Sequence, residues 1–423
     1  MKAKVNKIFE TPDDGYNYFF GYYDKSPLSS NGKYLLAHRL KFMDRLPCKD
    51  DSVEIGYFDI SQDSNREFNL VTNTNAVNWQ QGSMLQWLGR SNSDEIIFNT
   101  FDEEKLVSKI INIKNFNERT LCHPVYCLSI DGSFGLTIDF QRQAILRRAY
   151  SYDFAGLNTK EISNDTSILR IDITNNKTQE VLRMSDLPTT FKDMTNKIGF
   201  LEHLMISPDS TKFAFLHRIK DLNENSIHSS LYDFNLDGKE NNFSKLNGSS
   251  GRLGHFCWRD SERLVAYGSP DTKLNVKKIK EFPFYKFMLW VYRKLIVDPT
   301  RPSALRRSIT GDRYYSIDTN NMNKEVFQDS IFFIDGHMSF PHNSSDLMLF
   351  DTYPDNSGVA NLLLYDLKNM TLLYEEKVQS LKGYDRSENR CDLHPKWSFC
   401  GNYFSIDTMS KGYRQLWLYN LEK

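Results

Sequence analysis

A recurring strand-and-turn unit constrains the fold of this chain more than any other feature. Runs of apolar and aromatic residues end at an Asp or Asn, at Asp59, Asn112, Asp172, Asn235, Asp318, Asp366 and Asn420. Successive separations are 53, 60, 63, 83, 48 and 54 residues. A second apolar run precedes each, as in KYLLAHRL, EIIFNTF and KFAFLHR. The alternation predicts two β-strands per repeat, joined by turns rich in Gly, Asp, Asn and Ser.

Seven such units predict an all-β, seven-bladed β-propeller, in which radial repetition leaves only short sheet edges. A solenoid of the same units is the structural alternative. The last unit stops after its third strand, and the opening segment KVNKIFE (residues 4–10) has no unit of its own. We therefore expect this segment to close the last blade, so that residues 1–423 form one propeller.

One interval contains an insertion that matches no blade strand. Residues 277–307 carry nine Lys or Arg against Glu281 and Asp298, interleaved with aromatic side chains. This composition is typical of a segment that lies on an anionic membrane face. A helical excursion packed on the side of the propeller, with solvated lysines, is the alternative interpretation.

The overall composition excludes several classes of protein. With 53 basic and 54 acidic side chains the net charge is −1, which argues against a nucleic-acid partner. The six cysteines form no CxxC pair and no dense framework, so we expect small buried thiols, with Cys257 and Cys391 as the two that could join a zinc site. No apolar leader and no run of eighteen apolar residues is present. The sequence therefore predicts a cytoplasmic protein, with the inner membrane surface as the one membrane contact to consider.

Histidines recur at nearly the same place in five consecutive units, where the innermost strand begins. They are His123, His203, His255, His337 and His394. In a propeller these positions lie at one mouth of the central channel, so five imidazoles should converge there. The first two units offer Tyr22, Tyr23 and Asp24, then Gln80, Gln81 and Gln86.

Arginines accompany this ring, and we expect the mouth to bind an anionic ligand such as an acidic sugar. The arginines concerned are Arg142, Arg147, Arg148, Arg218 and Arg390. Each of them taken singly is more typical of a surface ion pair.

Three residues of the ring have the spacing of a metal site. Asp392 and His394 are two apart on a strand and share one side, and His337 of the preceding unit supplies a third ligand. Nitrogen and oxygen ligands of this kind favour Mn²⁺ or Zn²⁺ over Ca²⁺. A structural ion pair between Asp392 and Arg390 is the alternative.

Several motifs resemble those of the seven-bladed propeller polysaccharide lyases, namely the oligogalacturonate lyases and, more distantly, the ulvan lyases. The similar stretches are NWQQGSMLQW, DGHMSF, FDTYPD, RCDLHPKWS and GYRQLWLYNL, and they span about residues 20–420. The resemblance implies a divalent cation, typically Mn²⁺, on His337 and His394, with Asp392 where that family has another His. The ulvan-type enzymes use a His pair with Tyr and Arg, for which His123, Arg218 and either Tyr150 or Tyr152 are candidates.

The implied chemistry is β-elimination on a uronate-containing oligosaccharide. A cation or Arg must neutralise the carboxylate, a base must take the C5 proton, and an acid can protonate the leaving oxygen. We assign His203 or His123 as base, Arg218 as carboxylate clamp and Tyr150 as acid. Sugar hydroxyls and ring faces are expected to meet Gln81, Gln86, Trp87, Arg142, His255 and Arg390.

Two other functions remain open at this stage. A membrane-side factor of surface-polysaccharide biosynthesis, either transferase-like or a scaffold, is favoured by the basic insertion. A propeller that binds a protein without chemistry is favoured by the unit count alone.

Overall fold

The computed structural model describes most of the chain. The described residues are 3–61, 67–91, 94–154, 157, 162–163, 165–188, 191, 193–236, 242–248, 251–271, 311–327, 332, 334–384 and 387–422. The segment 277–307 lies outside them, so its interpretation as a membrane-facing or helical insertion stays a prediction. None of the helices in the described part has the length and apolar character needed to cross a bilayer.

Seven four-stranded antiparallel sheets are arranged as blades, which confirms the predicted seven-bladed propeller. The chain begins with β1 (Lys4–Glu10). Blade 1 comprises β2 (Asn17–Phe19), β3 (Tyr34–Leu40), β4 (Val53–Asp59) and β5 (Phe68–Thr74). Blade 2 comprises β6 (Gln86–Trp87), β7 (Glu95–Asp102), β8 (Lys105–Asn112) and β9 (Glu118–Leu121). Blade 3 comprises β10 (Cys127–Leu128), β11 (Phe134–Thr137), β12 (Ser167–Asp172) and β13 (Lys177–Arg183).

The remaining blades repeat this order. Blade 4 comprises β14 (Lys197–Ile206), β15 (Lys212–Asp221), β16 (Ser226–Asn235) and β17 (Phe243–Lys245). Blade 5 comprises β18 (Arg252–Trp258), β19 (Arg263–Ser269), β20 (Arg313–Asp318) and β21 (Lys324–Val326). Blade 6 comprises β22 (Met338–Ser339), β23 (Leu347–Asp351), β24 (Val359–Asp366) and β25 (Thr371–Gln379). Blade 7 comprises β26 (Lys396–Trp397), β27 (Tyr403–Thr408), β28 (Gln415–Glu422) and β1.

Strand β1 joins the two ends of the chain. It pairs antiparallel with β28, from Lys4 opposite Glu422 to Glu10 opposite Trp417. Phe9 of this strand is buried and its ring lies 5.1 Å from that of Phe58 in blade 1. The N-terminal strand thus completes blade 7 and also packs against blade 1.

The repeated Asp or Asn has a structural cause. It ends the third strand in six blades, and in five of them, at Asp59, Asn112, Asp172, Asp318 and Asp366, its side chain accepts backbone N–H bonds from the turn that follows. Asp172 accepts from Thr174 and Asn175, and Asp318 accepts from Asn320 and Asn321. Such Asx turns reverse the chain toward the outer strand, which is why these residue types recur at this place.

Tryptophans at the ends of three inner strands tie neighbouring blades together. The indole Nε1 of Trp258 donates to Met205 O at 2.9 Å, and that of Trp397 donates to Ser339 O at 3.2 Å. Trp87 makes the same kind of bond to Pro27 O at 3.0 Å. Each bond satisfies a buried donor and links an inner strand to the preceding blade.

Helical structure in the described part is confined to one short excursion and two single turns. Helix α1 (Phe140–Leu146) follows β11 and is capped by Asp139, which accepts from Arg142 N. One 3₁₀ turn (Arg148–Tyr150) follows at once, and another (Met184–Asp186) follows β13. The first of these turns carries Arg147 and Tyr150 over the channel mouth, as the side-chain contacts below show.

Candidate functional site

A left-handed residue recurs three positions before the last residue of the inner strand. Met84, His203 and His394 occupy this position with φ of 56°, 54° and 43°. In blade 4 the register of β14 against β15 shifts around His203, and in blade 5 that of β18 against β19 shifts around His255. Positive φ is costly for residues other than glycine, and such bulges re-aim side chains. The inner strand therefore breaks where its histidine enters the channel.

His123 does not belong to this set. Counting back from Leu128, the corresponding position is occupied by Val125, and His123 lies two residues further upstream. Its imidazole is half-buried near Lys105, and burial and that charge lower its pKa. Within the described residues it makes no contact with the other four histidines. The predicted ring thus contains four histidines, because the approach to β10 is displaced by two residues.

His337, Asp392 and His394 come together, although Asp392 and His394 precede β26 and do not lie on a strand as their spacing had predicted. Their potential ligand atoms all lie within 4.8 Å of one another, and all three side chains are buried. The imidazole rings of His337 and His394 are 4.4 Å apart, nearly perpendicular.

The outer nitrogens of the two imidazoles are held by the protein. His337 Nδ1 lies 3.0 and 3.1 Å from the two oxygens of Asp351, and His394 Nδ1 lies 3.1 Å from Gly21 O. The Asp351 carboxylate also accepts the backbone N–H groups of His337 and His394. Burial opposes protonation of His337, but the Asp351 charge raises its pKa; burial and neighbouring His337 hold the pKa of His394 well below normal.

The inner nitrogens are left without partners. Nε2 of His337 and Nε2 of His394 are buried and have no hydrogen bond within the described residues. With Nδ1–H donating outward, Nε2 carries the free lone pair, which is the usual arrangement of metal-bound histidines. Two orphaned imidazole nitrogens beside the Asp392 carboxylate therefore fit a divalent cation, of the kind that nitrogen and oxygen ligands hold.

Asp392 also forms the ion pair considered as its alternative. Arg390 Nε lies 3.0 and 3.2 Å from its two oxygens, and Arg390 Nη2 donates to Tyr150 Oη at 2.8 Å. The Arg147 guanidinium lies 3.7 Å from the centroid of the Tyr150 ring. Tyr150 is thus fixed between two arginines at the edge of the three candidate metal ligands.

A second charged group surrounds Glu202, which is completely buried. Its carboxylate accepts from Arg147 at 2.5 Å and forms an ion pair with Arg218. Burial opposes its ionisation, yet the two arginines lower its pKa to about 2. Two guanidinium groups share one carboxylate, so this part of the mouth carries a net positive charge toward solvent.

His203 is enclosed between these groups. Its ring stacks on Tyr22 at 5.0 Å, its Nε2 lies 3.4 Å from Arg147, and its Nδ1 lies 3.5 Å from the amide of Gln81. Burial holds its pKa well below the usual range, and the arginine charges act in the same direction. Gln81, which also donates to Tyr126 Oη at 2.7 Å, is therefore at the site, as expected.

His255 is the least enclosed histidine of the four. Its side chain is 14% exposed, against 5% for His203, and its ring lies 4.7 Å from that of His337. His255 Nδ1 lies 2.9 Å from an oxygen of Asp335, and its Nε2 lies 3.4 Å from Tyr353 Oη. The carboxylate favours the tautomer in which Nε2 is basic.

Four other residues that the sequence analysis named as site candidates lie away from the four clustered histidines or bond within the protein. Arg142 is buried and donates to Gly199 O and Ser163 O, Trp87 is one of the inter-blade tryptophans, and Tyr152 accepts from Asn99. Gln86 lines the channel on the side of the strand ends, away from the histidines. Arg142, Trp87 and Tyr152 thus bond within the protein and Gln86 lies at the strand ends, and a contact of any of them with substrate stays a prediction.

Sequence reasoning missed several residues of the site. Asp351 and Tyr353 lie in the DTYPD motif, so this motif could have indicated that both residues belong to the site. Asp335 and Glu202 carried no distinctive pattern, since each acts on a histidine or arginine brought near by the fold.

Comparisons with known proteins agree with this architecture. No protein-family model matches the sequence, and no curated protein shows significant sequence similarity. A solved structure of an oligogalacturonate lyase in complex with manganese matches with a TM-score of 0.61 and 14% identity, covering 100% of this chain and 94% of that one. An oligogalacturonate lyase from Vibrio parahaemolyticus matches with a TM-score of 0.58 and 12% identity, with the same coverage. At these identities the likeness confirms the resemblance at the level of fold.

Proposed function

We propose that this protein is a carbohydrate-active lyase that cleaves uronate-containing oligosaccharides by β-elimination. The observation that carries the proposal is the pair of buried, unpartnered Nε2 atoms of His337 and His394 beside Asp392. The arginine-rich mouth, and the fold shared with a structure described as an oligogalacturonate lyase in complex with manganese, support it.

His337, Asp392 and His394 would hold the divalent cation, Mn²⁺ or Zn²⁺. When bound, such a cation withdraws charge from a substrate carboxylate and so acidifies the adjacent C–H bond. The orienting partners Asp351 and Gly21 keep both imidazoles in the correct tautomer for this purpose.

The geometry favours His255 as the base that removes the C5 proton, in place of His203 or His123. Its Nδ1 is held by Asp335, which leaves Nε2 as the basic nitrogen, in contact with Tyr353 Oη at 3.4 Å, and its side chain is partly exposed. His203 is enclosed by Tyr22 and Arg147 and positions the arginines, whereas His123 stands apart from the cluster.

Residues on the other side of the mouth would bind the substrate's negative charge and supply a proton to the leaving group. Arg147 and Arg218, which share one carboxylate, would bind the anionic groups of the substrate. Tyr150 accepts from Arg390, so its own proton is free to pass to the departing glycosidic oxygen. The C5–H and C4–O bonds break, a C4–C5 double bond forms, and the base retains the proton from C5.

The test is ultraviolet detection of the unsaturated uronate product from a panel of uronate oligosaccharides, with and without Mn²⁺ or Zn²⁺. Loss of a general base costs about 10²–10⁴-fold in rate, so His255→Ala should lose that factor. His394→Ala should lose the metal dependence, and His123→Ala, the matched histidine control, should retain activity. No product from any oligosaccharide with metal-loaded protein would refute the proposal, and equal losses in His123→Ala and His255→Ala would refute the assignment of the base.

A further inference from the structure

The channel contains a cavity on the side away from the four clustered histidines. This far cavity has a volume of about 450 Å³ and is lined by residues that follow the inner strands, such as Ser129, Ser207 and Arg259. Ligand sites in proteins are of this size. Tyr23 forms part of its wall, and the Tyr23 ring lies 5.2 Å from that of His337, so this wall of the cavity adjoins the histidine cluster.

A buried ion pair lines the far cavity. Lys25 Nζ lies 2.6 Å from Asp24 Oδ2, and the two side chains are 7% and 4% exposed. Asp24 Oδ1 is buried without a hydrogen-bond partner among the described residues. Among the described residues, Lys25 donates its one side-chain hydrogen bond to Asp24, and its ammonium also lies 5.4 Å from the centroid of the Tyr126 ring. Burying a pair of charges is costly unless their remaining donors and acceptors are satisfied, so this pair needs a polar partner in the cavity.

The rest of the lining limits the chemistry of that partner. Trp258 and Trp397 border the cavity, and both indole N–H groups are already used by blade carbonyls, so their rings offer apolar surface. The charged lining residues Asp24, Asp260, Lys25, Arg90 and Arg259 nearly balance, which gives little selection for an anion. A neighbouring donor and acceptor in a cavity that aromatic rings also border match a sugar, which has adjacent hydroxyl groups and an apolar ring face.

We propose that the far cavity is a second carbohydrate site, which binds a neutral, hydroxyl-rich sugar through Asp24 and Lys25. One hydroxyl accepts from Lys25 Nζ, and it or its neighbour donates to Asp24 Oδ1. None of the described residues that line this cavity belongs to the metal, base or arginine groups assigned to the elimination chemistry, so the two sites use different side chains.

Isothermal titration calorimetry with the neutral disaccharide galactobiose tests the proposal on the full chain. Wild type and His394→Ala should bind with similar affinity, while the charge-balanced double variant Asp24→Asn with Lys25→Met should bind at least about tenfold more weakly, because two hydrogen bonds to charged groups are lost. Ser261→Trp, which fills the cavity from its wall without touching the ion pair, should also lose binding.

Three results would each overturn the proposal. The first is that wild type shows no saturable binding of galactobiose, and the second is that a folded Ser261→Trp protein binds it with unchanged affinity. The third is that His394→Ala alone loses binding, which would place the sugar at the histidine cluster. Circular dichroism of each variant establishes folding. If the double variant fails to fold, Ser261→Trp decides the question.

Discussion

Replacing Asp351 by Asn tests the architecture of the candidate metal site. The buried Asp351 carboxylate accepts hydrogen bonds from the backbone N–H of His337 at 2.6 Å, from Nδ1–H of the His337 ring at 3.0 Å and from the backbone N–H of His394 at 3.1 Å. Asparagine keeps one acceptor oxygen and brings an NH₂ group toward one of these donors. At least one buried donor is then unsatisfied, which costs about 1–3 kcal/mol of folding free energy.

The same substitution should weaken metal binding. Partners that orient metal-bound histidines typically contribute about 10–100-fold in affinity, which corresponds to about 1.4–2.7 kcal/mol. We expect the dissociation constant for Mn²⁺, measured by electron paramagnetic resonance of the free ion, to rise by that factor in Asp351→Asn. Mn²⁺ should also protect this variant less against thermal unfolding than it protects wild type.

Glu202→Gln is the matched control, because Glu202 is an equally buried carboxylate that contacts arginines and not the three candidate ligands. It should lose stability while keeping its affinity for Mn²⁺. If Asp351→Asn loses stability but binds Mn²⁺ within twofold of wild type, Asp351 is only a structural group and the reasoning fails.

Three further predictions concern stability. The pKa of Glu202 is lowered to about 2 from an ordinary 4.5, so the ionised carboxylate should stabilise the fold by on the order of 3 kcal/mol above pH 4.5. This contribution is lost as the pH falls toward 2. Acid unfolding followed by circular dichroism should therefore be less steep in Glu202→Gln than in wild type, and an unchanged acid profile would contradict this. Phe9→Ala should cost about 3–5 kcal/mol in urea unfolding, because β1 packs through Phe9 on Phe58; a loss below about 1 kcal/mol would show that the ends of the chain do not hold the ring closed. Trp258→Phe should cost about 1 kcal/mol by removing the indole N–H bond to Met205 O, as measured by the urea midpoint, and an unaltered midpoint would show that the indole bond does not join the blades.

The metal-site residues were predictable from the sequence because they depend on local rules. Asp392 and His394 lie two residues apart just before β26, where His394 has a φ of 43°, so they meet through their short spacing and not through strand alternation, and blade repetition places His337 beside them. The same repetition misplaced His123, since a displacement of two residues before β10 cannot be read from a short motif.

Partners that cross between blades were not predictable. Asp335 reaches His255 from 80 residues away, and Glu202 meets Arg147 across 55 residues. Neither pair leaves a periodic signal, because its geometry depends on how bulges and inter-blade packing aim each side chain.

The sequence by itself determined the blade count, the strand ends and the strand that completes blade 7. These features arise from alternation and from Asx turns, which act within a few residues. Only the tertiary structure decided which histidines meet, which arginines face the mouth and which tryptophans join blades. Those outcomes depend on contacts between residues far apart in the chain, where a shift of one or two positions in an inner strand moves a side chain out of the channel.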